Sequence, residues 1–111
     1  MAMSEIFDTV VSKMKSVAES TMPKGTTVVL YGSRARGEAK TDSDWDVLIL
    51  LDKDKVEVQD YDDIAFPFTD LGWELGQAII PIMYTKKNWN SLSYLPFHKN
   101  VEHDKYVIYE S

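Results

Sequence analysis

Two short apolar runs, residues 28–31 and 45–51, constrain this chain more than any other feature. Both are rich in Val, Leu and Ile with almost no polar interruption, the mark of strands covered on both faces. Such strands need helices over them, and the periodicity elsewhere provides these. Ile6, Val10, Met14 and Val17 recur at helical spacing behind Ser4, a capping residue, with Glu5 and Asp8 suited to the first turn. Thr21, Met22 and Pro23 end that helix, and Lys24-Gly25 turns the chain into the first strand, residues 26–31. A second helical stripe runs through Tyr61, Ile64, Phe68, Leu71 and Leu75, predicting a helix from about Asp60 whose regular part follows Pro67 and stops at Gly76. Residues 78–84 read as a third strand, in which Pro81 withholds one ladder hydrogen bond and so favours an edge or a bulge. A short helix over residues 86–93 with Trp89 and Leu92 inward, a helical turn within 97–104 and a short strand at 106–109 complete the chain.

This order predicts an α/β (α+β) fold, a small mixed β-sheet of about three to four strands flanked by helices. At 111 residues the chain is read as a single domain, 1–111, with one core and no room for a second substrate-binding domain. Trp45, Trp73 and Trp89 fall on separate elements, so core packing is the expectation for all three. The charge run over residues 52–63 is read as a solvated loop.

The stretch between the two apolar runs, Y-G-S-R-A-R-G-E-A-K-T-D-S-D-W-D, carries the chemistry. Gly32 lets the backbone approach a bound group, Ser33 supplies a hydroxyl, and the following turn, closed by Gly37, can aim N–H groups at an anion. Arg34 and Arg36 flank that turn, and a guanidinium there suits bidentate pairing with phosphate. Asp44 and Asp46 lie two residues apart at a strand start, so both carboxylates face one side of the sheet while Trp45 faces the other. Paired carboxylates repel unless a cation sits between them. Mg²⁺ suits such a pair where phosphates complete its oxygen coordination.

The string Gly32-Ser33, ten intervening residues, then Asp44-Trp45-Asp46 resembles the signature of the DNA polymerase β-type nucleotidyltransferase superfamily. The fuller pattern G-S-R-A-R-G followed by S-D-W-D-V-L-I resembles its minimal nucleotidyltransferase branch, small prokaryotic domains often encoded beside a helical HEPN partner. The resemblance covers residues 28–51. It implies transfer of a nucleoside monophosphate from ATP or another nucleoside triphosphate to a hydroxyl, with Asp44 and Asp46 as catalytic residues and Mg²⁺ ligands. Gly32, Ser33, Arg34 and Arg36 become the phosphate-binding set. One implied acceptor is a tyrosine on a HEPN-type toxin, which makes the chain the antitoxin of a toxin–antitoxin pair; the other is a small molecule such as an aminoglycoside, although related antibiotic-modifying enzymes use an added helical domain that this chain lacks. One departure matters: competent members usually carry a third carboxylate on the next strand, and residues 78–84 contain no acid. Glu74, on the preceding helix, is the nearest. The alternative is therefore a nucleotide- or partner-binding module without turnover.

A net charge of −6 argues against holding nucleic acid by its backbone, which needs clustered Lys and Arg. Cysteine is absent, which removes disulfides and thiolate metal sites. No apolar run approaches the length of a membrane span, and the cytoplasm, where ATP is supplied, is the expected location. His98 and His103 lack a companion motif, so hydrogen-bonding or surface roles are expected rather than metal ligation or a Ser-His-Asp site.

Overall fold

The computed structural model describes residues 3–111, with the side chain of Met3 left aside. The elements are α1 (Met3–Thr21), β1 (Thr27–Tyr31), α2 (Ser33–Arg36), β2 (Trp45–Leu51) and α3 (Val58–Asp60). A π-helical turn (Tyr61–Ala65) and α4 (Phe66–Leu75) follow, then β3 (Ile79–Thr85), α5 (Lys86–Ser91), α6 (Pro96–Asp104) and β4 (Tyr106–Glu110). The four strands form one mixed sheet in the order β3-β2-β1-β4. Strand β2 runs antiparallel to β1, Tyr31 opposite Asp46, and parallel to β3, Asp46 opposite Ile80. The apolar runs thus became the two inner strands, whose ladders hydrogen bond on both sides. Pro81 lies on β3 at the sheet edge, where a missing amide costs no inter-strand bond on the open side.

Alternation along β2 divides the molecule into two faces. Trp45, Val47, Ile49 and Leu51 point into the larger core, where Val10, Met14 and Ala18 of α1 and Phe68 and Leu71 of α4 meet them. Leu48 points the other way and packs with Val29, Trp89 and Val101 beneath α5 and α6. Helices α1 and α4 therefore cover one face, and the shorter α5 and α6 cover part of the second.

The helix expected from about Asp60 is present: α3 passes into a π turn, and regular α-geometry begins at Phe66 with Pro67 in its first turn. The amide that proline lacks thus falls where a helix segment needs none. The charge run is only partly a solvated loop. Asp60 is buried, accepts from the Glu57 amide at 2.8 Å, and receives the Lys53 ammonium at 2.9 Å. Its carboxyl is set below the usual range, burial being outweighed by those two donors. The core position expected of Trp73 is also corrected: 76% of it is exposed on the outer side of α4, because the inward positions of that helix are filled by Phe68, Leu71 and Gly72. Leu92, expected inward, is only half-buried, whereas Trp89 is fully packed.

Candidate functional site

The turn after β1 is shaped by glycine at both ends. Gly32 has φ 77° and Gly37 φ 74°, backbone conformations that L side chains rarely adopt. Between them α2 makes one helical turn, closed when the Glu38 amide reaches the Ser33 carbonyl at 3.0 Å. The Arg36 amide is the first to find a carbonyl within the turn, that of Gly32 at 3.1 Å. The amides of Ser33, Arg34 and Ala35 thus lack acceptors in the turn itself, the usual condition of a first helical turn.

Gly32 also lies against a carboxylate. A Cβ at position 32 would stand 2.5 Å from Asp46 Oδ2, so only glycine allows this approach. The contact follows from register, since Tyr31 pairs with Asp46 and the residue after Tyr31 must pass beside that side chain. Asp46 is half-buried and Asp44, just before β2, is exposed. Burial raises the Asp46 pKa, and the Asp44 charge raises it further, while Arg36 offsets part of the rise. Asp46 therefore feels the Asp44 charge as well as its own burial.

The predicted arginines separate. Arg34 is 4% exposed; its Nη2 donates to the Ser43 and Thr41 carbonyls at 2.9 and 3.3 Å, and Nε donates to Ser43 at 3.3 Å. Its guanidinium lies 4.4 Å from the Trp45 ring centroid. Trp45 faces the α1 side of the sheet and Asp46 the other, so Arg34 sits on the wrong face to share a ligand with Asp46. Instead of facing the carboxylate pair, Arg34 clamps the carbonyl immediately before Asp44 onto α2. Arg36 is exposed and paired with Glu38 at 2.6 Å and with Asp104 of α6 at 2.7 Å. Asp104 is held below the usual carboxylate range by hydrogen bonds from His103 and Arg36. Arg36 remains on the carboxylate side, since its charge acts on Asp46.

The third acid is missing in space as well as in sequence. Register places Ile80, 45% exposed, beside Asp46 on β3, and among the described residues no further acid joins Asp44 and Asp46. Aromatic groups stand around the carboxylate instead. The Tyr31 hydroxyl is pushed up to about 12 by burial first, then by Asp46 and Tyr84. Its ring meets Phe97 of α6 edge-on at 5.7 Å. Sequence reasoning missed this wall. Alternation along β3 puts Tyr84 on the same side as Ile80 and so could have found that residue, but Phe97 and Asp104 lie too far along the chain for any local pattern to place them. His98 stacks on Trp89 with centroids 4.4 Å apart, a packing role. A cavity of about 420 Å³ opens between α1 and α2, lined by Phe7, Arg34, Ala35 and Tyr106, and neither Asp44 nor Asp46 lines it.

The turn whose first amides find no acceptor within it thus lies directly against the Asp46 carboxylate. A profile of the nucleotidyltransferase domain family matches residues 11–109. No curated protein sequence matches the chain significantly. Among solved structures, a toxin–antitoxin complex with AMP-PNP superposes with TM-score 0.65 at 17% identity, covering 91% of this chain and 73% of that one. A protein of Sulfolobus solfataricus assigned as a nucleotidyltransferase gives 0.62 at 18%, covering 99% and 88%. A mutant of the toxin–antitoxin MntA-HpeT, with two Asp→Glu changes, gives 0.61 at 13%, covering 91% and 73%. At these identities the superpositions establish a shared fold, and the profile, spanning nearly the whole chain, establishes the family: this protein belongs to the nucleotidyltransferase domain family.

Proposed function

We propose that the chain transfers a nucleoside monophosphate from ATP or another nucleoside triphosphate to a hydroxyl. The observation that supports this reading is the approach of Gly32 to Asp46, which sets one of the two carboxylates beside the turn. Phosphate oxygens of the triphosphate lie against the Ser33 hydroxyl and the first amides of α2, with Arg36 as the nearby cation. Mg²⁺ fits the donor set, because burial and then the neighbouring Asp44 charge oppose ionisation of Asp46, and a divalent ion held by the two carboxylates would offset both. When bound to Asp44 and Asp46, such an ion neutralises charge that builds on the phosphorus centre and on the departing pyrophosphate. Tyr31, its proton held firmly, walls the site and limits water at Asp46.

The acceptor in this reading is a tyrosine on a HEPN-type partner, with this chain as antitoxin. Support comes from the toxin–antitoxin neighbours, one of them holding AMP-PNP and another altered at two aspartates spaced like Asp44 and Asp46. A second reading, binding without turnover, is favoured by Ile80 standing where a third carboxylate would act as base. One experiment separates them: the purified chain, with any protein that copurifies, is incubated with Mg²⁺ and ATP labelled at the α-phosphate. Label transfer and a mass gain of one nucleoside monophosphate on the acceptor, both abolished by Asp46→Asn, establish the transferase. Retained ATP binding with no transfer establishes the binding module, and failure to bind any triphosphate overturns both.

A further inference from the structure

We propose that the outer side of the π turn and α4 is a docking surface for a protein partner whose contact face is an apolar helical seam flanked by lysine or arginine. Three aromatic side chains lie along it: Tyr61 at 58% exposure, Phe66 at 43% and Trp73 at 76%. Their alignment depends on the π turn. The Phe66 amide bonds the Tyr61 carbonyl, a five-residue step, so Tyr61 stacks above Phe66 where an uninterrupted α-helix would have rotated it aside. Trp73 then follows Phe66 by seven residues, two α-turns along. The opposite side of the same helix is already occupied, with Ile64, Phe68 and Leu71 buried in the core. The helix thus has apolar groups on both sides, and only one side has a cover within this chain.

Charge selects the occupant. Residues 56–85 contain six acids, Glu57, Asp60, Asp62, Asp63, Asp70 and Glu74, and no Lys, Arg or His. Lys53 pairs with Glu57 and Asp60, which leaves one negative charge among the three. The other four are exposed and enter no ion pair among the described residues. A second copy of this chain docked face to face would oppose like charges, and an anionic lipid surface would be repelled in the same way. A cationic amphipathic helix satisfies both the aromatic stripe and its acidic border. Because α4 covers the Trp45 side of the sheet, such a partner leaves Asp44 and Asp46 uncovered. The surface is thus an anchor separate from the chemistry, and it holds whether or not the partner is also the acceptor.

The test uses the whole chain and synthetic peptides of about five helical turns: an amphipathic Leu/Lys helix, its Leu/Glu counterpart, and a scramble of the Leu/Lys composition that destroys the seam. Binding is followed by anisotropy of labelled peptide and by the emission maximum of the protein, at about 0.15 M salt, where loose charge attraction is screened beyond roughly 8 Å. The expected result is binding of the Leu/Lys helix alone, with a blue shift that is lost in Trp73→Phe. Affinity falls about tenfold or more in Trp73→Ala and in the charge reversal Asp70→Lys/Glu74→Lys. Glu19→Lys on α1 and Asp46→Asn leave it unchanged, the latter separating this surface from the nucleotide site. Equal binding of the scramble, indifference to Trp73→Ala in a variant with unchanged circular dichroism, or a Trp73-dependent dimer of the chain in sedimentation would each overturn the proposal.

Discussion

The two faces of the sheet differ in what they ask of the sequence. On the α1 and α4 side, β2 contributes Trp45, Val47, Ile49 and Leu51, all fully packed, and the covering helices are long enough to seal them. On the other side β2 contributes Asp46, Leu48 and Leu50, the buried cluster is small, and one end of the face is left to carboxylates and tyrosines. Stability thus comes chiefly from one face and leaves the other free to hold a charged pair that opposes folding. Asp46 makes the point. Its folded pKa lies above its ordinary value, so above that pKa the ionised group lowers stability, and below the ordinary value it costs nothing.

Substitutions that hit one face and spare the other break or sharpen this division. The largest expected effect is Asp46→Asn, which removes a proposed metal ligand and should reduce nucleotidyl transfer on the order of a thousandfold, about 4 kcal/mol in the barrier. The thermal midpoint near neutral pH should stay level or rise, since a strained carboxylate has been discharged. A clear fall in midpoint, read by calorimetry, would show that the chemical face also supports the fold.

Phe68→Ala is the counterpart on the sealed face. Phe68 is fully buried between α4 and the sheet, and its loss should cost about 3–4 kcal/mol by denaturant titration. Triphosphate affinity per folded molecule should hold within about twofold, a spread of only a few tenths of a kcal/mol. Should affinity collapse in proportion to stability, the faces are not separable.

Arg34 connects the two faces and should give an intermediate result. Its fork grips the Ser43 carbonyl on one side of the loop while Asp44 follows at once on the other. Arg34→Lys keeps the charge but cannot make that fork, nor lie as a plane over Trp45. A cost of about 1–2 kcal/mol is expected in stability, with Mg²⁺ affinity weakened about tenfold through displacement of Asp44. Calorimetric Mg²⁺ titration that gives wild-type affinity would reduce Arg34 to packing alone.

Much of this division was legible beforehand. Period-two alternation put Trp45 and Asp46 on opposite sides, Gly32 and Gly37 bracketed the turn, and Pro81 marked the edge strand. Illegible were the features that depend on contacts distant in sequence. Arg36 meets Asp104 across 68 residues, and nothing near either foretells it. Nothing near Arg34 in sequence foretells that its guanidinium grips the Ser43 carbonyl and lies over the Trp45 ring, since that depends on the side to which Trp45 packs. Trp73 misled for a different reason, since a tryptophan on an amphipathic helix is normally core, and here the inward positions were already full. The π turn was hidden because one extra residue leaves the apolar stripe in sequence nearly unchanged.

The smallest expected effect concerns how the sealed face is entered. Asp60 ties the start of α3 to Lys53, and its folded pKa is depressed. A depressed carboxyl contributes stability that is fully present above its ordinary, unfolded value and is lost as pH falls through the folded one. Asp60→Asn should therefore lower stability by about 1 kcal/mol at neutral pH, comparable to loss of a helix cap. The gap between variant and wild type should stay constant down to about pH 4 and close below it, where both side chains are neutral. Transfer activity and Mg²⁺ affinity should not change, because this tether belongs to the α4 side. Parallel denaturation curves at several pH values check the closing gap; a difference that persists at the lowest pH would assign the role of Asp60 to shape rather than charge.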